Sequence, residues 1–435
     1  MEKLAAETTN AWPMQRAEIL YLLGSTQSLA GDNVRGMATL RETAAFAERV
    51  HHDYIATNTW LQLIQSASFD EGDPERGLEY ATYADAALDR IGRPSDIEVL
   101  FLYYYGTTLV EAGRPEEAEP KMRRSVELAE KFAPQYLAQA LLGLGHLLES
   151  QNRYSDATDP LRRALAGTTP GDPANHTFHE RLAMNLALTG HTDEAEVEAR
   201  KAIALVDSQL TEDSTDRAVA HASLAQVLQK ANKMDAALVE VRVAADILRK
   251  SVGERNLRYG ELISLEANIL LDVHRFKEAD PILARACEII AFGIGDDTAS
   301  YADCLLSRAI ALEGLKRVRE AVAVTDRALA ILIADGEQSA RTANAYLQRG
   351  QLREAAGKRA DAIADIDRAI AIFSQLQLDA GHLAAAQMLL ADLLWERDRS
   401  RAKALSAEAM QGFTRASASW DDIELEAVAW MKTHQ

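Results

Sequence analysis

Residues 99–128 read VLFLYYYGTTLVEAGRPEEAEPKMRRSVEL, and the fold turns on how that stretch is parsed. Glycine readily ends a helix and proline readily starts one, so Gly113-Arg114-Pro115 marks a tight turn between two short amphipathic helices. Gly106, Ala118 and Ser125 fall where those helices have to cross closely. Small side chains at such points let two backbones approach while larger apolar ones fill the layer beside them.

The same arrangement recurs through nearly the whole chain. A small residue follows each turn, at Gly36, Gly77, Ala118, Ala157, Ala195, Ala237, Ala279, Ala321, Ala362 and Ala402, with spacings of 38 to 42. Seven residues after each anchor stands a second small residue: Thr43, Ala84, Ser125, Ala164, Ala202, Ala244, Ala286, Ala328, Ala369 and Ala409. Seven residues are two helical turns, so each pair shares a face. Nine residues before the anchor, leucine stands in seven of ten units, and twelve before it Gly or Ala stands in eight. Helix breakers separate the helices within units, as at Gly72-Asp73-Pro74 and Gly357-Lys358. They also separate the units, as at Gly92-Arg93-Pro94, 169–173, 293–297 and 335–337. The expectation is an all-α chain, an α-solenoid of about ten helix-turn-helix repeats.

Composition agrees. A chain of 435 residues exceeds one ordinary core, but stacked repeats escape that limit because each buries its face against its neighbours. Aromatics are only 6% and prolines number ten, a helical rather than a β profile. The formal net charge of −19 repels phosphate, which argues against nucleic acid and anionic membranes as partners. No apolar run approaches a membrane span, and the N-terminus lacks the apolar stretch of a signal peptide. The two cysteines, Cys287 and Cys304, make neither a disulfide framework nor a metal quartet and read as buried small residues, which suits a cytoplasmic protein.

The small-residue offsets, with Leu144-Gly145 in a first helix and Ala157 followed by Leu161 in a second, resemble the tetratricopeptide repeat (TPR) family. That resemblance implies a right-handed superhelix. The usual period is about 34 residues with a closing proline. Here the period is near 41, and the closing position holds Glu48, Asp89, Glu130, Asp207 or Arg249. Nothing then stops the second helix, which is expected to run on for about two more turns. Period alone suits HEAT or armadillo repeats; the residue pattern, which reports the packing itself, favours an elongated TPR of the kinesin-light-chain kind. The whole chain also resembles the TPR regions that follow the catalytic domain in large bacterial Ser/Thr protein kinases. The features that carry this are 72–78, 293–297 and the closing Ala427-Val428-Ala429-Trp430-Met431. No Gly-rich loop, strand lysine, His-Arg-Asp or Asp-Phe-Gly of a kinase core is present. The expected organisation is two repeats over 1–94, eight more over 95–420, and a capping helix over 421–435.

In a TPR array the first helix of each unit lines the groove. On this register the wall carries ten acids (Glu18, Asp70, Glu111, Glu149, Glu180, Glu261, Asp272, Asp303, Glu313 and Glu354) and two bases, Arg181 and Lys230. Its neutral members include Tyr21, Gln62, Tyr103, Tyr104, Gln139, His146, Gln226, Asn268 and Asn344. A concave acidic wall attracts cations, and amide and tyrosine side chains suit a peptide backbone. Two readings stay open: a groove for a neutral-to-basic protein segment, or a solvated acidic surface with no dedicated partner. Arginines on the second helices (Arg123-Arg124, Arg162-Arg163, Arg242, Arg285, Arg327, Arg368) read as partners of nearby glutamates rather than as a docking ridge. His176 and His179 read as a solvated pair at a helix start, since a metalloprotease helix needs His-Glu-x-x-His and a third ligand. No nucleophile is paired with a base.

The expected function is a non-catalytic scaffold for protein or peptide partners in bacterial signalling, with a possible Ser/Thr kinase association and with no cofactor and no metal. The alternative is a ligand- or peptide-sensing array that regulates an attached effector.

Overall fold

The computed structural model describes residues 12–29, 33–70, 72–169, 171, 175–209, 211, 214–376, 379–416 and 420–434. The N-terminal residues 1–11, the side chain of Asp70 and most of the 170–173 turn lie outside the described residues. The described residues form 21 α-helices. Ten helix pairs come first: α1 (Pro13–Leu29) with α2 (Asn33–Arg49), α3 (Asp53–Gln65) with α4 (Pro74–Arg90), α5 (Ser95–Glu111) with α6 (Pro115–Phe132), α7 (Leu137–Ser150) with α8 (Tyr154–Ala166), and α9 (Asn175–Leu188) with α10 (Thr192–Gln209). They continue as α11 (Thr215–Lys230) with α12 (Met234–Ser251), α13 (Leu257–Asp272) with α14 (Phe276–Ile294), α15 (Ala299–Gly314) with α16 (Val318–Gly336), α17 (Ala340–Ala355) with α18 (Arg359–Phe373), and α19 (Ala380–Leu394) with α20 (Arg399–Phe413). The last helix, α21 (Asp421–Thr433), packs on α20. Odd helices are the first and even helices the second of each repeat.

Every anchor alanine from Ala118 to Ala402, and every small residue seven positions on from Thr43 to Ala409, has no solvent exposure. Gly145 shows why the crossing tolerates nothing larger: a Cβ there would sit 2.5 Å from Leu161 Cδ2. Where the small residue is polar it finds a partner, as Ser125 Oγ donates to the carbonyl of Val99 across the crossing at 2.9 Å. Seven of the ten second helices run 17–19 residues, straight through the position at which the shorter repeat closes on proline.

The turn inside each repeat is one cap used repeatedly. Five residues before the anchor the backbone enters the left-handed region, at Gly72, Gly113, Asn152, Gly190, Asn232, His274, Lys316 and Gly357. In α5 the N–H of Arg114 donates to the carbonyl of Leu109 at 2.8 Å and that of Gly113 to Val110 at 2.9 Å, the double closure of a Schellman motif. The same long closure runs from Arg153 to Leu148, Arg275 to Leu270 and Arg317 to Leu312, each at 2.8 Å. The recurring leucine nine before the anchor thus packs the crossing and accepts the bond that ends its helix.

At two of these caps the arginine that follows also staples repeats together. Arg153 pairs with Asp156 at 2.9 Å and reaches back to Glu119 of the preceding repeat at 3.2 Å. Arg317 does the same with Glu320 at 2.6 Å and Asp280 at 2.7 Å.

The chain divides into two compact units: residues 1–210 with 226–231, and residues 211–225 with 232–435. In unit 1 successive first helices touch, α1 to α3, α3 to α5 and α5 to α7. Among the described residues the second helices α2, α4, α6 and α8 make no comparable approach to one another. The first helices therefore form the inner wall of that unit. In unit 2 the first helices α13 and α15 also touch.

Two expectations are corrected. Cys287 on α14 and Cys304 on α15 are not separate thiols but a disulfide, with Cα atoms 5.6 Å apart. The pairing crosses from one repeat to the next, where a pattern read within single repeats has no purchase. His179 is not solvated: its Nδ1 lies 2.6 Å from Glu198 Oε2, and both side chains are largely buried between α9 and α10. His221 repeats this in the next pair, with Nδ1 2.7 Å from Glu240 Oε2.

Candidate functional site

The inner wall of unit 1 is built from helix faces turned away from the small-residue crossings. In α5, Gly106 and Leu109 face α6, which leaves Tyr103 and Tyr104 on the side shared with α7. The rings of Tyr103 and Tyr104 meet edge to face with centroids 5.2 Å apart, and both hydroxyls hydrogen-bond with Gln139 of α7. Tyr103 packs closely on α7 because residue 143 is glycine; a Cβ there would come within 2.7 Å of the ring. Tyr104 also senses the hydroxyls of Tyr21 on α1 and Tyr136 before α7. Tyr21 in turn bonds Ser25, and Ser25 Oγ lies 2.7 Å from Gln62 Oε1 on α3. Burial pushes the hydroxyls of Tyr21, Tyr103 and Tyr104 above the usual tyrosine pKa. Tyr105 turns elsewhere, its ring 4.2 Å beneath Lys121 Nζ.

One helix further along, Arg181 of α9 holds the next group together. Its Nε lies 2.9 Å from Glu149 Oε2 on α7, and Glu149 also bonds Asn185. Burial still raises the Glu149 pKa, against the pull of Arg181. His146, one turn before Glu149, is 3.9 Å from Glu111 Oε1. Burial, with the positive Arg181 nearby, lowers the His146 pKa to about 4, so its imidazole is neutral at pH 7. Arg181 also acts electrostatically on Tyr103.

The structure therefore brings Tyr103, Tyr104, Gln139, Glu111, His146 and Glu149 into one continuous surface in unit 1. Glu180 is half-buried on α9, and Gln226 is exposed on α11. The other residues expected in the groove belong to unit 2. Asn268 and Asp303 are half-buried there, and Asp272 and Asn344 are exposed. Burial raises the carboxyl pKa of Glu261 and of Asp303. Asp303 faces Arg341, 3.5 Å away.

Sequence reasoning missed Tyr136 and Asn185, which join the wall from a short 3₁₀ turn (134–136) and from deeper on α9. It also missed Arg341, which sits near the start of α17, outside the fixed offsets used to count wall charges. The wall is consequently less acidic than its residue count suggests. On the second helices, arginines pair with acids as expected, but often across repeats: Arg162 with Glu194 and Arg242 with Glu266, each at 2.7 Å. Among the described residues no group of three or more His, Cys, Asp or Glu converges as a metal site, and no helix is long and apolar enough to cross a membrane.

The tetratricopeptide repeat family matches the chain over residues 98–169. Solved structures of similar fold include the apo form of the quorum sensor NprR from B. thuringiensis, with 13% identity and a TM-score of 0.57, covering 84% of this chain and 99% of that one. Another is a signal transduction ATPase with numerous domains (STAND) protein with a tetratricopeptide repeat sensor, from Pyrococcus horikoshii, with 14% identity and a TM-score of 0.56 over 85% of this chain and 54% of that one. The TPR-like repeats of a kinesin light chain from Podosopora anserina align with 18% identity and a TM-score of 0.42 over 47% of this chain and 98% of that one. At these identities the likeness is one of fold. No curated protein matches the chain.

Proposed function

We propose that this chain is a non-catalytic TPR scaffold whose unit 1 wall takes an extended, neutral-to-basic protein segment. The observation that carries the reading is the run of half-buried tyrosine and amide groups, Tyr21, Tyr103, Tyr104 and Gln139, flanked by Glu111 and Glu149. Tyrosine presents a rigid, amphipathic face at low entropic cost, and amides match a peptide backbone. The carboxylates favour lysine or arginine beside those rings, where cation–π contact adds to charge attraction.

The test is capture of partners from a cell lysate by the full chain, against variants Tyr104→Ala and Glu111→Lys. Each variant is expected to weaken capture by about 10-fold, the range of an interface anchor. If both retain the same partners at the same level, the groove reading fails. Association with a Ser/Thr kinase, the finer expectation drawn from resemblance, is read in the same experiment by probing the captured fraction for kinase activity.

A second reading is favoured by the Arg181–Glu149 pair beside neutral His146, a charged group held ready amid polar neutral ones. On that reading the array senses a small ligand or peptide; two proteins of similar fold are named as sensors. A sensor contracts on binding, so its radius of gyration in small-angle scattering falls when the captured ligand is added; a plain scaffold's does not.

A further inference from the structure

The disulfide occupies a register position that is apolar at every other junction except that of Asp85 with Phe101. Cys287 stands eight residues after its anchor on a second helix, and Cys304 stands seventeen before the next anchor on the following first helix. The same two positions hold Val126 and Ala140 in unit 1, and Ala245 with Leu262 and Leu329 with Ala345 in unit 2, all buried. At the α14–α15 junction a covalent link replaces that apolar pair. Both cysteines are nearly inaccessible, at 4% and 3% exposure. The turn that joins their two helices runs from Gly295, at φ +100°, to Thr298, whose hydroxyl caps α15 by accepting from the Tyr301 N–H. Arg327 of α16 ties that turn down through Asp296.

We propose that Cys287–Cys304 is a redox-responsive clasp that sets how readily the junction between the seventh and eighth repeats opens. In an oxidising setting α14 and α15 are tied; in a reducing one the junction rests on packing alone. The reductant is a low-molecular-weight thiol, RSH. Its thiolate attacks one cystine sulfur, forming a mixed disulfide and releasing the other cysteine as thiolate. A second RSH resolves the mixed disulfide, so two RSH become RSSR while two electrons and two protons pass to the cysteines. Because the sulfurs are buried, attack waits on opening of the α14–α15 junction, which makes reduction slow compared with an exposed disulfide.

The full chain is equilibrated natively with oxidised or reduced glutathione, its free thiols are alkylated in denaturant and counted by mass spectrometry, and amide exchange is followed in both states. No alkylated thiols are expected after oxidised glutathione and two after reduced. Reduction is expected to speed exchange in α14 and α15 by about 100-fold, the factor implied by losing a cross-link across a loop of this size, with α5 and α6 unchanged. The double variant Cys287→Leu, Cys304→Ala rebuilds the apolar pair of the neighbouring junction and is expected to exchange alike in both glutathione states. Two free thiols after oxidised glutathione, or reduction without faster exchange in α14 and α15, or a redox response in the double variant, each overturns the proposal.

Discussion

His146 is held neutral by its surroundings, and that has a thermodynamic consequence. An unfolded histidine binds a proton near pH 6.5, whereas this one resists protonation until about pH 4. The folded pKa is depressed, so the unfolded state binds more protons between those values and stability falls as pH drops through that window. The loss is on the order of 2–3 kcal/mol by pH 4. Replacing His146 with Gln is expected to flatten that part of the acid limb, measured as urea midpoints at pH 7, 5.5 and 4. An unchanged slope would show that the imidazole protonates freely in the fold. Crossing residues behave differently. Gly145→Ala puts a Cβ against Leu161 and is expected to cost about 1–3 kcal/mol by overpacking, read from the same midpoints at pH 7. The small residues at crossings were legible because each answers a steric demand within one repeat. His179 and the cysteines were not, since their partners lie on other helices at separations of 19 and 17 residues that no local periodicity marks.

At the scale of the element, the cap between first and second helices is the recurring unit. Its left-handed residue is glycine in some repeats and Lys316 or His274 in others. A Cβ in that conformation costs about 1–2 kcal/mol, part of which glycine gives back as unfolded-state entropy. Lys316→Gly is therefore expected to stabilise unit 2 by about 0.5–1 kcal/mol, seen as a raised urea midpoint. Gly113→Ala should do the opposite in unit 1. A Lys316→Gly variant that is less stable than the parent would mean the lysine side chain contributes more than its backbone strain removes. The position of these turns could be read from glycine in four repeats, at Gly72, Gly113, Gly190 and Gly357. In the rest, Asn152, Asn232, His274 and Lys316 gave no glycine signal, and only the anchor spacing located them. The wall residues followed the same logic. Tyr103, Tyr104 and Gln139 were placed by offset from the anchors, whereas Tyr136 and Arg341 lie outside any offset rule.

For the whole molecule, stacking means that each repeat rests chiefly on its neighbours, so unfolding is not expected to be a single all-or-none event. The tryptophans allow this to be measured. Trp12 and Trp60 belong to unit 1, and Trp395, Trp420 and Trp430 to unit 2. Trp60 packs on Tyr80 and Tyr83, while Trp395 and Trp430 meet edge to face. A Trp12→Phe, Trp395→Phe, Trp420→Phe, Trp430→Phe variant reports unit 1, and a Trp12→Phe, Trp60→Phe variant reports unit 2. Their urea transitions are expected not to coincide with each other or with helix loss by circular dichroism. Superimposable curves from all three would establish one cooperative body instead.

From Ala195 to Ala321 the anchors advance by an unvarying 42 residues. A helix turns by about 100° per residue, so one residue inserted within a helix of that span swings every later side chain of that helix off its seat. Forty-two residues added or removed together bring cap, crossing and staple back into phase. Length variants of this chain are thus quantised: excising residues 237–278 should leave a shorter protein that still folds, while excising a single alanine from α12 should not be absorbed without overwinding that helix.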